Sequence, residues 1–506
     1  MSPQAFALHA ACIRGVDACP VTVEVAMAGG LPGISIVGMA DAAVLEARSR
    51  IRCAMRAAGF EVPRKSITVN LAPGDMRKTG SGFDLPIAVA ILAASSQIPV
   101  AGLDGCLLVG ELALDGAVCP VKGEVAYQIL ARDADLELLG ARSEEHVAID
   151  GIRQGYLRSL DEMRSGVEAA HRARRVDADL ARVSTECCDY ADVLGQEMVK
   201  RGIAVAAAGD LGLLMIGAPG SGKSMLARRM TTILPELAAS DQQDALRIHS
   251  VAGEPIEDLM RGRRPFRCPH HSISLAGLIG GGRPVRPGEI SLAHGGVLFL
   301  DELAEFPAHV LQGLRQPLEE GQVRIVRVDG LYAFPASFQL LAASNPCPCG
   351  YLGDRDVPCT CRPDGVQRYR AKLGGPLADR IDLMIDVARP DPRLIIEGAQ
   401  GLDSAEMRRW VSKGRSFRAW RVHGDPARMR PHNSGEQTRD SIGRAFDLDD
   451  RAERAVLDLA RRTHLTGRGI SRLCRIARTI ADMEESMRIQ TEHVLEAAMY
   501  QGRRQQ

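Results

Sequence analysis

The run Leu211-Gly-Leu-Leu-Met-Ile216, followed by Gly217-Ala218-Pro219-Gly220-Ser221-Gly222-Lys223-Ser224, sets the fold class. The first part is a short apolar strand. The second matches G-x-x-x-x-G-K-[ST], and Met225-Leu-Ala-Arg-Arg-Met-Thr reads on as a helix. Strand, glycine loop and helix in that order make a phosphate cradle. The glycines let backbone N–H groups wrap the phosphates, and the helix N-terminus adds positive potential. In such a cradle Lys223 reaches the β- and γ-phosphates and Ser224 ligates Mg²⁺.

Further along, Gly296-Val-Leu-Phe-Leu300 ends in Asp301-Glu302. An apolar strand delivering adjacent carboxylates fits a metal-holding Asp301 followed by a water-activating Glu302. A third apolar run, Phe338–Ala342, leads through Ala343-Ser344 into Asn345. An amide at the end of a neighbouring strand is placed to orient the attacking water, although Asn345 alone also fits a turn. The chemistry is nucleoside-triphosphate hydrolysis, with Mg²⁺ as the metal.

The whole chain has 506 residues, enough for about three domains. Lys+Arg and Asp+Glu are both 63, which excludes binding of nucleic acid through bulk charge alone. With 45% hydrophobic and 25% charged residues the chain falls among ordinary globular proteins. No apolar run is long enough to span a bilayer, and Met1-Ser-Pro-Gln-Ala-Phe lacks a basic region ahead of an apolar stretch. A cytoplasmic protein with no membrane partner is expected, its 13 cysteines reduced.

The expected class is a multidomain α/β protein in three units. Residues 1–165 alternate strands (Val21–Val25, Gly33–Val37, Ser66–Leu71, Leu107–Leu114) with helices (Asp41–Ala58, Phe83–Ala94). Residues 166–188, with His171-Arg-Ala-Arg-Arg175, read as a linker. Residues 189–390 form the nucleotide-binding α/β core, whose apolar runs suit buried parallel strands. Residues 391–506 read as helical. The segment from 401 onward holds 21 Lys/Arg and 15 Asp/Glu. In its last pattern Arg468, Arg472, Arg475 and Arg478 share one helical face, opposite Leu473, Ile476, Ala477 and Ile480. That face fits phosphate sensing, a subunit interface or DNA.

These motifs together resemble the AAA+ ATPases and, more narrowly, the magnesium-chelatase-like ComM/YifB family. The resemblance is carried by Asp192-Val-Leu-Gly-Gln196, Gly217–Ser224, Arg264-Pro-Phe-Arg-Cys-Pro-His270-His271 and Arg286-Pro-Gly-Glu-Ile-Ser-Leu-Ala-His-Gly-Gly296. It continues in Phe299-Leu-Asp-Glu-Leu-Ala-Glu-Phe306, Ser344-Asn-Pro-Cys-Pro-Cys-Gly350, Gly375-Pro-Leu-Ala-Asp-Arg-Ile-Asp-Leu383 and Arg475-Ile-Ala-Arg-Thr-Ile-Ala-Asp482. It implies a Lon-protease-like (S5-type) N-terminal domain, an AAA+ P-loop core and an α-helical C-terminal lid. It also implies a homo-hexameric ring with ATP at subunit interfaces. By motif, Asn345 resembles sensor 1 and Arg380 an arginine finger supplied to the neighbour. An intrachain salt bridge from Arg380 to Asp379 or Asp382 is the competing reading. Arg468 is the candidate for sensor 2, with Arg472 as its rival.

The family further implies a helicase-like motor on single-stranded or branched DNA, of the branch-migration type met in natural transformation. Two insert-like segments suit the lining of a ring's pore. They are Ser274–Pro287, with Arg283 and Arg286, and the hairpin-like Val323–Phe334, with Arg324 and Arg327. Repeated around a channel, such arginines hold phosphates without a basic monomer; a solvated hairpin face is the blander reading. A chelatase-type ATPase subunit or a protein remodeller would share the same ATPase core. A Ser–Lys peptidase is disfavoured, because the protease serine and lysine positions match Gly82 and Val125, with Ser81 and Lys122 out of register. Arg77 and Lys78 remain weak DNA candidates.

Cys347-Pro-Cys349 and Cys359-Thr-Cys361 are paired knuckles whose four thiolates suit tetrahedral Zn²⁺, although C-x-C is tighter than the usual spacing. Four idle thiols in a Pro/Gly loop would give the same pattern. A metal there would brace Asn345. His270 and His271 read as structural, and the adjacent Cys187 and Cys188 show no readable pattern.

Overall fold

The computed structural model describes residues 4–142, 149, 151–172, 188–328, 330–354, 356–373, 377, 380–397, 401–423 and 442–501. Most of the expected linker, with Cys187, lies outside the described residues, as does Asp379, one of the two partners expected for Arg380. Among those described, no helix is long and apolar enough to cross a membrane.

An eight-stranded sheet organises the N-terminal part. Its strands are β1 (Gln4–Arg14), β2 (Asp17–Ala28), β3 (Gly33–Val37), β4 (Ser66–Ala72), β5 (Cys106–Leu108), β6 (Glu137–Gly140), β7 (Arg153–Tyr156) and β8 (His171–Arg172). Their spatial order is β8-β7-β6-β5-β1-β2-β4-β3. In β2, Val21, Val23, Val25 and Met27 are buried while Glu24 and Ala26 are exposed, the alternation of a strand covered on one face. Helix α1 (Ala42–Ala57) starts where the Asp41 carboxylate accepts the Val44 N–H at 2.9 Å. Helix α2 (Asp84–Ala94) is apolar all round and buried along its length, as a central helix must be. Helix α3 (Glu124–Asp133) covers the opposite face, with Tyr127 and Ala131 against Leu107, Val109 and Leu138.

The single strand expected over Leu107–Leu114 is broken in two. Gly110 donates its N–H to Gly82 and accepts from Leu85, so the ladder ends there. Glu111–Leu112 then pairs separately with Val118–Cys119.

The second sheet contains β9 (Leu213–Ile216), β10 (Phe266–Arg267), β11 (Val297–Leu300), β14 (Gln339–Ser344) and β15 (Leu383–Asp386). Between β11 and β14 in sequence, β12 (Gln322–Arg327) and β13 (Gly330–Pro335) form the expected hairpin. The sheet order is β10-β11-β14-β9-β15, and every pairing is parallel. Strand β15 has no distinct strand signature in the sequence, where it stands only at the end of a motif.

Successive residues of β9 face two different cores. Leu213 and Met215 join Phe299, Leu341 and Leu383 against α4 (Glu197–Gly209) and the C-terminal helices. Leu214 joins Leu298, Leu300 and Leu340 against Leu278, Val323 and Phe334 of the two inserts. Helix α5 (Lys223–Arg228) follows the glycine loop, and α6 (Ala239–Ala252) lies beyond it.

After Pro390 the elements are helical among the described residues. They include α7 (Ser404–His423), α8 (Asp450–Arg462), α9 (Gly467–Met483) and α10 (Thr491–Met499). Leu473, Ile476, Ala477 and Ile480 of α9 are buried as the periodicity requires. The opposite face departs from expectation, because arginines on it are tied into the protein. Arg478 is buried, donating to the carbonyls of Ser486 and Met487 and pairing with Asp482 at 3.0 Å. Arg475 is bound to the buried Asp382 at 2.8 Å.

The two sheets' units touch through named contacts. Lys122 donates to the Ala252 carbonyl at 3.3 Å, and the Gly123 N–H to Ser250 at 3.1 Å. Arg14, at the tip of the β1–β2 hairpin, lies over the Tyr332 ring at 5.7 Å. Ser81 is bonded to Glu111 and Lys122 to Ala252, so the two candidate peptidase groups are engaged with different partners. Lys78 is fully buried and donates to the Pro73 carbonyl, which removes it as a DNA contact; Arg77 is exposed.

Candidate nucleotide site

The parallel order puts the C-terminal ends of β9, β11 and β14 side by side, and each carries one part of the site. The register Ile216↔Ser344 places the start of the glycine loop next to Asn345. Leu300↔Ala342 brings Asp301 alongside the same strand. Crevices at these strand ends are where open parallel sheets bind ligands.

Gly217 must be glycine for a local reason. A Cβ there would come within 2.3 Å of the Val387 carbonyl, which accompanies the strand on the other side. Beyond it, Lys223 is mostly buried and donates to the carbonyls of Gly217 at 2.8 Å and Ala218 at 3.0 Å. Its Nζ is also 3.4 Å from Oδ1 of Asn345. Burial lowers the Lys223 pKa, while the nearby Asp301 and Glu302 oppose that shift. An ammonium held on loop carbonyls can exchange them for phosphate oxygens, which restore its charge balance.

Ser224 Oγ donates to Asp301 Oδ2 at 2.6 Å, so the two proposed Mg²⁺ ligands already share one corner. The chemistry of that pair, a hydroxyl and a carboxylate beside a phosphate loop, fits a hard divalent cation. Glu302 follows with φ +52°, and its N–H donates to Asp301 Oδ1 at 3.0 Å.

His271 meets the Glu302 carboxylate, with Nδ1 3.5 Å from Oε2. His270 bonds Ser272 at 2.7 Å, whereas His271, expected to be structural, faces the candidate base. No spacing in the sequence signals this, because the strand-end segment after β10 meets β11 only through sheet pairing. Replacing His271 by Ala is expected to lower the hydrolysis rate about tenfold or more through misplacement of Glu302. Nucleotide affinity should stay unchanged. Separate measurements of kcat and of the Kd for ATP check this, and an unaltered kcat would remove His271 from the site.

The loop's underside is held by Gln196, itself at φ +61°, whose Nε2 donates to Ser221 at 3.0 Å and Ala388 at 3.1 Å. Nearby Arg229 binds Asp192 at 2.9 Å, and Tyr190 Oη donates to the Leu226 carbonyl at 2.9 Å. These residues clamp the glycine loop and α5 onto the segment that precedes α4.

Arg380 lies elsewhere. The register Leu213↔Leu383 puts the start of β15 at the N-terminal edge of the sheet, and Arg380 precedes it. Four-residue strands alone separate the two edges by about 10 Å. There Arg380 forms an ion pair with Glu319, a partner the sequence does not suggest, and it also acts on Asp382, one of the two anticipated. Burial raises the Asp382 carboxyl pKa, and Arg475, the Gly212 N–H, Arg472 and Arg380 counter it. Arg468 is exposed on the same helix face, one turn before Arg472. Arg380, Arg472 and Arg475 thus gather around one carboxylate, and none belongs to this chain's own phosphate loop.

Arg324 and Arg327 are exposed on the β12–β13 hairpin, and Arg283 and Arg286 on the other insert. The inserts adjoin: a Cβ on Gly281 would lie 3.6 Å from the Arg327 guanidinium. Cys347, Cys349, Cys359 and Cys361 are brought together, their sulfurs all within 4.8 Å of one another.

Comparison with known proteins agrees with this architecture. The family described as magnesium chelatase, subunit ChlI, matches residues 189–394. Models for subunit ChlI of Mg-chelatase and for its C-terminal part match residues 23–139 and 401–501. The chain is 39% identical over 502 residues to YifB of Salmonella typhimurium, covering 98% of this chain and 96% of YifB. It is 38% identical over 497 residues to competence protein ComM of Haemophilus influenzae, with 96% of each chain covered. The magnesium-chelatase 67 kDa subunit of Chlorobaculum parvum is 27% identical over 159 residues, covering 31% of this chain and 23% of that subunit. With the P-loop sheet and near-full-length similarity both in hand, the chain belongs to the magnesium-chelatase-like AAA+ ATPases of the ComM/YifB family.

Proposed function

We propose that this protein is an ATP-driven, ring-forming motor on single-stranded or branched DNA, a homo-hexamer with ATP and Mg²⁺ between subunits. The observation that carries the reading is the division of the site across the sheet. Lys223, Ser224, Asp301, Glu302 and Asn345 stand at one edge, and Arg380 at the other with the arginines of α9. A neighbour in a closed ring would bring its Arg380 to this chain's γ-phosphate, with Arg468 or Arg472 as the nucleotide sensor on the C-terminal helical lid. The adjoining inserts with Arg283, Arg286, Arg324 and Arg327 would line the channel. Residues 1–165 are read as a Lon-protease-like, S5-type domain without a working Ser–Lys pair, 166–188 as the linker, 189–390 as the motor core and 391–506 as the helical domain. The ComM similarity along nearly the whole chain favours this over the chelatase-subunit reading, whose named relative matches a much shorter stretch.

Steady-state ATPase activity with single-stranded DNA, a four-way junction and an unfolded protein tests the assignment. Stimulation by DNA that falls steeply with salt is expected, because phosphate contacts release counterions. Arg324→Glu with Arg327→Glu should abolish that stimulation and flatten its salt dependence. Stimulation by the unfolded protein alone would replace the DNA motor by a remodeller; response to neither would lift the chelatase-type reading.

A further inference from the structure

We propose that Cys347, Cys349, Cys359 and Cys361 bind one structural zinc ion that locks the loop between Asn345 and the glycine loop. The sulfur of Cys347 is 3.4 Å from Cys349 and 3.7 Å from Cys359, and Cys349 to Cys359 is 3.6 Å. Zn–S bonds of about 2.3 Å set thiolates about 3.8 Å apart at the corners of a tetrahedron. A disulfide would need about 2.05 Å. The spacing therefore fits four ligands around a common centre better than any covalent pairing among them.

The surroundings suit thiolate charge. The Cys349 N–H points at Cys361 Sγ at 3.3 Å, and the Cys361 N–H at Cys359 Sγ at 3.5 Å. Backbone donors of this kind orient and stabilise the ligands of a metal. Cys347 is buried and the others are half-buried, as in a closed structural site rather than an open catalytic one. Soft sulfur ligands in a tetrahedral set select zinc over magnesium or calcium. On binding, each thiol still protonated exchanges its S–H proton for a Zn–S bond, with no change in oxidation state.

The site's position gives the metal a task. Between Asn345 and Arg362 the described residues form no helix or strand, so no ladder fixes them. Gly350, at φ +87°, fits against the glycine loop so closely that a Cβ would lie 2.7 Å from Pro219 Cδ and 3.8 Å from Asn345 Cγ. On the far side Arg389 lies over the Tyr351 ring at 5.5 Å and pairs with Asp354 at 3.6 Å. The knuckle is wedged between the phosphate loop and the chain leaving β15. A bound ion would hold both Pro219 and Asn345 in place, which adds a positioning role to the proposed ATP site and rests on that reading only for this second part.

Elemental analysis of the full chain, purified without a metal-binding tag, should find about one zinc per chain. Cobalt exchange should give the visible bands of a tetrahedral tetrathiolate. Cys349→Ser with Cys361→Ser should lower zinc content at least tenfold. No zinc with four freely titrating thiols, or zinc retained undiminished in the double variant, would overturn the site. If the variant does not fold, the metal content and cobalt spectrum of the unaltered chain still decide. Stripping zinc should weaken binding of a fluorescent ATP analogue at least tenfold. Unchanged affinity on removal would overturn the positioning role and leave the zinc site standing. Failure of the zinc-loaded chain to bind nucleotide would instead strike the ATPase reading.

Discussion

Arg380→Ala is expected to lower ATP turnover about 10³-fold, the worth of an arginine finger at a developing phosphoryl charge. Nucleotide affinity should change far less, because Lys223 and the glycine loop belong to the other edge of the sheet. The physical reason is position. Arg380 stands before β15, whose first residue pairs with the first residue of β9, while the phosphate loop follows the last. On the proposed reading, an arginine there would act on a neighbour's ATP. Mixing supplies the decisive measurement: Arg380→Ala chains keep an intact loop, and Lys223→Ala chains keep an intact Arg380. Each alone should be inactive, and together they should recover turnover at interfaces that combine the two intact halves. If the mixture stays inactive while both variants assemble, Arg380 is reduced to the partner of Glu319. Arg380→Lys should not restore full activity, since an ammonium lacks the planar fork that matches phosphate oxygens.

Glu302→Gln should slow hydrolysis by about 10² to 10⁴-fold while ATP remains bound. The substitution keeps the side-chain size but removes the carboxylate proposed to accept the water's proton. Because Asp301 and Ser224 form their own hydrogen-bonded pair, the Mg²⁺ corner should survive the change. Single-turnover hydrolysis and equilibrium ATP binding separate the two effects. Near-normal turnover would sink the assignment of Glu302 as base. Loss of binding would mean that the carboxylate is needed for the metal rather than for the water. In the His271→Ala variant, by contrast, the base remains and only its placement suffers.

Arg380 and Glu302 are both visible in the sequence, but to different depths. Lys223 and Ser224 are legible because they open a helix after an apolar strand and a glycine loop, and Asp301 and Glu302 because they follow an apolar strand directly; in both, local sequence carries the backbone and the side-chain chemistry. Arg380 is legible as a motif, but its ion-pair partner is not, because Glu319 lies 61 residues earlier and meets it only in the folded chain. His271 escapes notice as a neighbour of Glu302 for the same reason. The α9 periodicity correctly marks Leu473, Ile476 and Ile480 as core. It treats the arginine face as uniform, whereas long side chains can turn back to meet buried partners: Arg475 reaches Asp382, and Arg478 reaches Asp482 and two carbonyls. Lys78 likewise reads as a surface cation but is buried against Pro73.

Short-range patterns of apolar period, glycine and charge are enough to specify the phosphate cradle, the acidic strand end, the hairpin insert and the helical C-terminal part. They do not specify which strand ends are neighbours, that β15 closes the sheet, or that Arg380 stands at the edge away from its own phosphate loop. Nor do they bring four cysteines from two knuckles together beside Pro219. Those features come from the folded chain, because sheet order and register join segments far apart in sequence, and no local pattern encodes which distant partner a side chain will meet.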